Sequence, residues 1–424
     1  VLSGAILSNS HFIYTRFFFL ELVLRSTKVF GQTFSRITVA SLSIALLGFT
    51  ASCTIDRDNN EHQIESSSST GKQDNGDEKA ENKLTSNIKD GDDEVDVTEH
   101  VQVKAGQKID KVSLTNDAGE EIKGKFNDDK TEWTVPTKLG YSRTYTLTAK
   151  SGEQKLKQTF TTMTPGMTLD GALAPLDGST VGIGQTIALH FDAPVEDRKA
   201  VEDAITVETT PKVEGAFYWI TAQDVRWRPE KYWKPGTKVN VKANLYGTKI
   251  GEGVYGGEDR SAKFTIGDDM RALVDDKTKT MTIKKNGKTV QTMPVSLGMD
   301  YQYPTPNGTY IIGDQHESLT MDSSTFGLTG SGVYRTDVQY ATQMSYSGIY
   351  IHAAPWSVYA QGNTNTSHGC VNVTVDNAAW VFNNMKRGDI VEVKNTQGET
   401  LNGSDGLGDW NIPWKTWKAG NADG

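Results

Sequence analysis

With two cysteines in 424 residues, the chain cannot be a disulfide-stapled scaffold and has to hold its folds together by core burial. Nor is there a surplus of positive charge. The 44 Lys and Arg against 53 Asp and Glu leave a formal net charge of −9, which argues against neutralising many phosphates, so no nucleic-acid partner is expected. Long apolar runs are missing as well: residues 37–51, ITVASLSIALLGFTA, carry no charge, but fifteen residues fall short of the roughly 20 that a membrane-spanning helix needs. No methionine occurs before Met163. Glycine is plentiful, at 41 residues beside 9% aromatics, which predicts short strands and many tight turns. At roughly 100 to 200 residues per domain the length predicts two to four domains. The expectation is a mostly β, multidomain protein whose two cysteines do separate jobs.

Residues 37–51 follow Arg16, Arg25, Lys28 and Arg36 and fit the apolar region of an export signal, so residues 1–52 are read as a leader. That leader is long, and residues 1 to about 30 are expected not to belong to the natural product. It ends in Thr50-Ala51-Ser52-Cys53, which resembles a bacterial lipobox. The resemblance implies cleavage before Cys53 and attachment of a membrane lipid to its sulfur, although Thr50 departs from the leucine usual at its position. A free cysteine near an ordinary cleavage point is the alternative. Residues 53–97 are read as a lipid-anchored, disordered tether. From Thr54 to Glu99 there are fourteen acidic residues, five basic ones and no aromatics, too little apolar area to offset the entropy of ordering.

Three folded blocks follow. In residues 98–165 pieces such as HVQVKAG, KVSLTND and YTLTAKSG alternate with period two between turn signals, which predicts a small β-sandwich without a catalytic constellation. Residues 166–267 have the same grammar. Their Trp219, Trp227 and Trp233 are read as sandwich core and domain contact, with a glycan-stacking platform as the sharper alternative. His190, in an alternating strand, is read as packing or surface. Residues 268–395 are read as mixed β with one short helix that Asp376 can cap, and Lys285-Asn286-Gly287-Lys288 is a hairpin signal. Residues 396–424 carry Trp410, Trp414 and Trp417, which predict an extension packed on the third block.

Cys370 stands in Ser367-His368-Gly369-Cys370-Val371-Asn372, downstream of Ile349-Tyr350-Ile351-His352. With Cys53 lipidated or removed it has no disulfide partner. A lone thiol becomes a nucleophile when a base takes its proton, and His352, at the end of an alternating strand, can be that base. Gly369 permits a tight turn that exposes the sulfur and leaves the Gly369 and Cys370 N–H groups free for a developing oxyanion. An inert buried cysteine would be expected among apolar neighbours, whereas this one follows TNTSHG. A zinc site of His352, His368 and Cys370 is chemically possible, but His-x-Cys is shorter than usual structural spacings and no clear fourth ligand appears.

These residues, and the longer string YSGIYIHAAPWSVYAQGNTNTSHGCVNV, resemble the catalytic domain of L,D-transpeptidases, the YkuD-type fold, in its mycobacterial and related actinobacterial branch. The resemblance spans residues 98–424 and implies two immunoglobulin-like domains, a mainly β catalytic domain and a carboxy-terminal extension. It implies Cys370 as nucleophile, His352 as base, and Ala353 as a third member acting through its backbone carbonyl where the family usually has serine. His368 and Gly369 match positions shaping the nucleophile turn and oxyanion site. Ser367, Asn372, Tyr334, Met321 and Phe326 match substrate-binding positions, the last three in a lid, with Phe326 replacing a usual tyrosine. For Met321 and Phe326 simple packing stands equally. The implied partners are donor and acceptor tetrapeptide stems of peptidoglycan and carbapenem inhibitors, with no cofactor. The implied reaction releases D-Ala through a Cys370 thioester and forms 3→3 cross-links on the extracytoplasmic face of the membrane. Hydrolysis of the same thioester by an L,D-carboxypeptidase, attachment of a protein amine to peptidoglycan, and a wall-binding module with a dead catalytic domain are the alternatives.

Overall fold

A computed structural model of the chain describes residues 83–326 and 333–420. The expected leader, Cys53 and the tether as far as residue 82 lie outside the described residues, and so does the side chain of Phe326. No described helix is long and apolar enough to cross a membrane.

The acidic stretch enters the fold earlier than the expected tether boundary at residue 97. Leu84, Ile88, Val95 and Val97 are buried, and strand Thr85–Ser86 pairs with Gln102–Lys104. The carboxylates accept backbone hydrogen bonds, Asp92 from Lys89 N at 2.8 Å and Asp90 from Thr159 N at 2.7 Å. Average composition hides this arrangement, because four well-placed apolar residues supply the burial while acidic side chains build turns. The first sandwich sets the sheet Thr85–Ser86, Gln102–Lys104, Glu132–Thr134, Lys125–Phe126 against the sheet Glu121–Ile122, Lys111–Asn116, Thr144–Ser151, Gln154–Thr161. Alternation places Tyr145, Leu147 and Ala149 inward on Trp133, Leu114 and Phe160.

The second sandwich joins the sheet Gly171–Ala174, Ile187–Phe191, Asp224–Pro229, Gly215–Trp219 to the sheet Thr180–Val181, Arg260–Ile266, Lys238–Ala243, Ile205–Thr210. A short helix, Arg198–Ala204, is capped by Asp197, whose side chain accepts from Ala200 N. Trp219, Trp227 and Trp233 are all buried, so they form core and not a stacking platform. His190 is exposed, with Nδ1 2.8 Å from Asp224 Oδ1.

The third block has two sheets. One runs Lys288–Pro294, Thr280–Lys285, Met270–Asp275, Ile390–Lys394, Gly308–Ile311, and the other Gln315–Asp322, Arg335–Gln343, Tyr350–Ala353, Val371–Val373. Asn286 and Gly287 both take positive φ, 50° and 81°, as a type I′ hairpin requires. The helix Val375–Asn384 packs on the second sheet's strands. Its cap is Thr374, which accepts from Asn377 N, and not Asp376, which lies in the first turn, where a carboxylate complements the helix dipole.

The carboxy-terminal segment straddles two blocks instead of packing on the third alone. It begins on the third block, where Ile311 N donates to Leu407 O at 2.9 Å and Asn411 Nδ2 to Thr309 O at 2.8 Å. It then crosses to the second sandwich. Trp417 stacks on Tyr218 at 5.0 Å, and the Arg228 guanidinium lies 4.4 Å from the Trp410 ring and 4.3 Å from that of Trp417. The tryptophans cover an arginine on the second sandwich, a partner that their own spacing does not reveal.

Candidate active site

Strands Tyr350–Ala353 and Val371–Val373 are parallel, with Ile351 opposite Val371 and His352 opposite Asn372. Because side chains alternate, His352 and Asn372 share one face, and Cys370, two residues before Asn372, lies on that face too. All three line a cavity of about 190 Å³. Although polar in sequence context, Cys370 is buried among Met321, Val338, Ala341 and Tyr350. Its Sγ lies 3.6 Å from the Gly348 carbonyl, the acceptor for a neutral thiol. Burial pushes the thiol up to about 11, against a smaller opposing effect of the Tyr350 N–H.

His352 is buried, and burial holds its imidazole below the ordinary range. Its Nδ1 lies 2.9 Å from the Ala353 carbonyl. A carbonyl only accepts, so Nδ1 carries the proton and Nε2 keeps a free lone pair. Thiol and imidazole are therefore both neutral near pH 7.

The turn before Cys370 is closed by its own hydrogen bonds. Gly369 has φ +122°, while an added Cβ would meet only Ile349 Cγ1 at 3.9 Å, so backbone conformation and not space demands glycine. Its N–H is not free, because it donates to Ser367 Oγ at 3.1 Å. Ser367 Oγ in turn donates to Cys370 O at 2.6 Å. The Ser367 hydroxyl thus clamps the turn, engages the Gly369 N–H, and belongs to a residue that lines the cavity. Thr305, fully buried, completes the clamp by donating to Gly369 O at 2.8 Å.

His368 lies between two tyrosines, 4.6 Å from the ring of Tyr303 and 4.9 Å from that of Tyr334. Tyr334 is tied to the Ser323–Phe326 turn, where Tyr334 N donates to Ser323 Oγ at 2.8 Å. Burial, with a smaller contribution from Cys370, pushes its phenol up to about 12, so it stays a neutral donor. Met321 packs on Cys370 and lines the cavity. Asn372 donates from Nδ2 to Ser357 Oγ at 3.2 Å, while its buried Oδ1 has no partner. A buried orphan acceptor in a cavity wall is suited to an incoming N–H donor. Among the described residues no three of His, Cys, Asp and Glu are placed to hold a metal ion.

The family model for the L,D-transpeptidase catalytic domain, YkuD, matches residues 269–393, and a bacterial Ig domain model matches residues 92–249. L,D-transpeptidase 2 of Mycobacterium tuberculosis is 48% identical over 347 residues, covering 80% of this chain and 85% of that protein. The chain belongs to the L,D-transpeptidase family. As a member it is a cysteine-dependent acyltransferase of peptidoglycan. L,D-transpeptidase 5 of the same organism is 33% identical over 318 residues, covering 72% of this chain and 69% of that protein. A crystal structure of L,D-transpeptidase 3 from that organism, in complex with a faropenem-derived adduct, aligns with 53% of this chain and 97% of its own at 29% identity and a TM-score of 0.44.

Four contributors to the family site were not read from the sequence. Trp356 lines the cavity with its ring 6.2 Å from His352, and Tyr303 backs His368. Thr305 and Ser357 hold Gly369 and Asn372. Of these, Trp356 has a visible signal, an aromatic four residues past His352. Tyr303 and Thr305 come from a distant loop with no motif of its own.

Proposed function

We propose that the chain forms 3→3 cross-links between diaminopimelate residues of peptidoglycan stems. Cys370 Sγ attacks the carbonyl at the L-centre of diaminopimelate in a donor tetrapeptide, and the thiol proton passes to His352 Nε2. The C–N bond to D-Ala breaks as that proton is returned to the leaving amine, which leaves a thioester on Cys370. The side-chain amine of diaminopimelate on an acceptor stem then attacks, loses a proton to Nε2, and the thiol is restored. The observation that carries this reading is the 2.9 Å contact of His352 Nδ1 with the Ala353 carbonyl, which fixes the tautomer a base needs. Asn372 Oδ1 accepts a stem N–H, and Tyr334 and Met321 wall the acyl pocket. The Cys370 N–H serves as the turn's oxyanion donor, with Gly369 N–H occupied. A carbapenem acylates the same thiol through its strained lactam carbonyl.

Incubation with disaccharide tetrapeptide should give a cross-linked dimer and free D-Ala, read by mass. Tripeptide alone would replace this reading with the L,D-carboxypeptidase. We also propose that Cys53 carries the membrane lipid and that residues from there to about 83 tether the enzyme on the extracytoplasmic face. Cys53→Ala should then release the protein from membrane fractions; retention of the variant would remove the anchor.

A further inference from the structure

The first sandwich carries no catalytic constellation, yet one of its faces has a composition that folding alone does not favour. In the sheet Lys111–Asn116, Thr144–Ser151, Gln154–Thr161, the register sets Lys111 opposite Lys150 and Lys150 opposite Lys155. The next outward row is Ser113, Thr148 and Lys157. Four exposed lysines therefore stand on adjacent strands, three of them directly across from one another. Like charges facing each other across strands destabilise a sheet. None of the four is in an ion pair among the described residues, whereas the chain as a whole is acidic, at net charge −9. Asp110, next to Lys111 in the chain, accepts the Gly152 N–H at 3.0 Å. Lys111, Thr148, Lys150, Lys155 and Lys157 border a shallow groove of about 380 Å³, so cations and a hydroxyl surround one concavity.

We infer that this lysine face is a second docking surface for the wall polymer, binding the free carboxylates of peptidoglycan stems along a strand while the Cys370 cavity acts on another stem. The inference rests on the proposed peptidoglycan substrate. Charge complementarity selects the occupant: a stem peptide offers several carboxylates within reach of one groove bordered by four lysines. Such a contact adds no step to the reaction. It raises the effective concentration of stems near the thiol, so its contribution is seen on polymer and not on soluble fragments.

The test is co-sedimentation of the chain with purified sacculi freed of phosphate polymers, comparing the parent with Lys111→Gln/Lys150→Gln/Lys155→Gln/Lys157→Gln. The quadruple variant should bind about tenfold more weakly or worse, with a shallower dependence on salt. Amidating the sacculus carboxylates should reduce parent binding to the level of the variant. Replacement of the same four lysines by arginine should restore binding, which separates lost charge from lost folding. Turnover of soluble disaccharide tetrapeptide should be equal in parent and quadruple variant, so failure of the docking surface and failure of the transferase reading are read separately. Undiminished binding by the quadruple variant, or undiminished binding to amidated sacculi, would overturn the inference. Loss of binding to anionic phosphatidylglycerol vesicles with sacculus binding unchanged would overturn it in favour of a membrane contact.

Discussion

At the catalytic cavity, burial holds a thiol and an imidazole neutral, and the buried Asn372 Oδ1 in the cavity wall has no partner. At the seam between the second sandwich and the catalytic sheets, burial raises the carboxyls of Asp409, which faces Arg226 and Arg228, and of Asp389, which lies beside Gly182, and each of these four side chains keeps an orphan atom. The seam is otherwise closed. Gly182 N donates to Arg387 O and Gly184 N to Gly388 O, both at 2.8 Å, and a Cβ on Gly182 would stand 2.2 Å from Asp389 N. Both regions leave polar atoms unsatisfied, which costs free energy. At the cavity an incoming substrate can satisfy them. At the seam the raised carboxyls appear instead as pH-dependent stability.

The largest effects should separate the two regions cleanly. His352→Gln should lower the rate of carbapenem acylation by roughly 10²- to 10⁴-fold with little change in thermal unfolding, measured by stopped-flow fluorescence and calorimetry. Acylation by the parent should stay flat around pH 7 and decline only in acid, because the base must be neutral and burial depresses its pKa below the usual 6.5. Trp417→Ala should do the reverse. It removes a fully buried indole that stacks on Tyr218 and donates to Ala216 O at 2.9 Å, so unfolding should become easier by roughly 3–5 kcal/mol. Acylation below the new melting temperature should be unchanged.

Much of this contrast was visible in the residues. The Asn286-Gly287 turn follows from local chemistry, and Cys370 and His352 follow from motif and spacing. The strand alternation of the sandwiches is likewise local. What stayed hidden depended on distant partners. The burial of Cys370 comes from Met321, Val338 and Tyr350 on other strands, and nothing in TNTSHG announces it. The positive φ of Gly369 is the kind of feature glycine signals, but the sulfur after it is buried and not exposed, and where its N–H points depends on the Ser367 rotamer. Leu84 and Ile88 look like minor members of an acidic tract until the strand at Gln102–Lys104 receives them. The tryptophans at the carboxy terminus signalled burial without naming the surface, and that surface includes Arg228.

A smaller effect sharpens the seam. Burial pushes Asp389 up to about 7 from an ordinary 3.8. Its contribution to stability is complete below the unfolded value and is lost as pH rises from about 4 through 7, because the unfolded carboxyl ionises first. Asp389→Asn should therefore raise stability by about 1–3 kcal/mol at pH 8 relative to the parent and give no gain at pH 4, read from melting temperatures across pH. Equal shifts at both values would detach Asp389 from the pH dependence. The smallest effect belongs to the cavity. Ala353→Ser keeps the carbonyl that accepts from His352 Nδ1, so acylation should stay within about threefold of the parent. A large gain would mean that a hydroxyl at this position takes part.

The most direct measurement is the alkaline titration of Cys370 by thiolate ultraviolet absorbance, taken as the difference between Cys53→Ala and Cys53→Ala/Cys370→Ala. A buried thiol activated only during attack should show no thiolate at pH 7 and ionise near the value of about 11 to which burial raises it. A thiolate already present at pH 7 would contradict the account and make the resting site a thiolate–imidazolium pair.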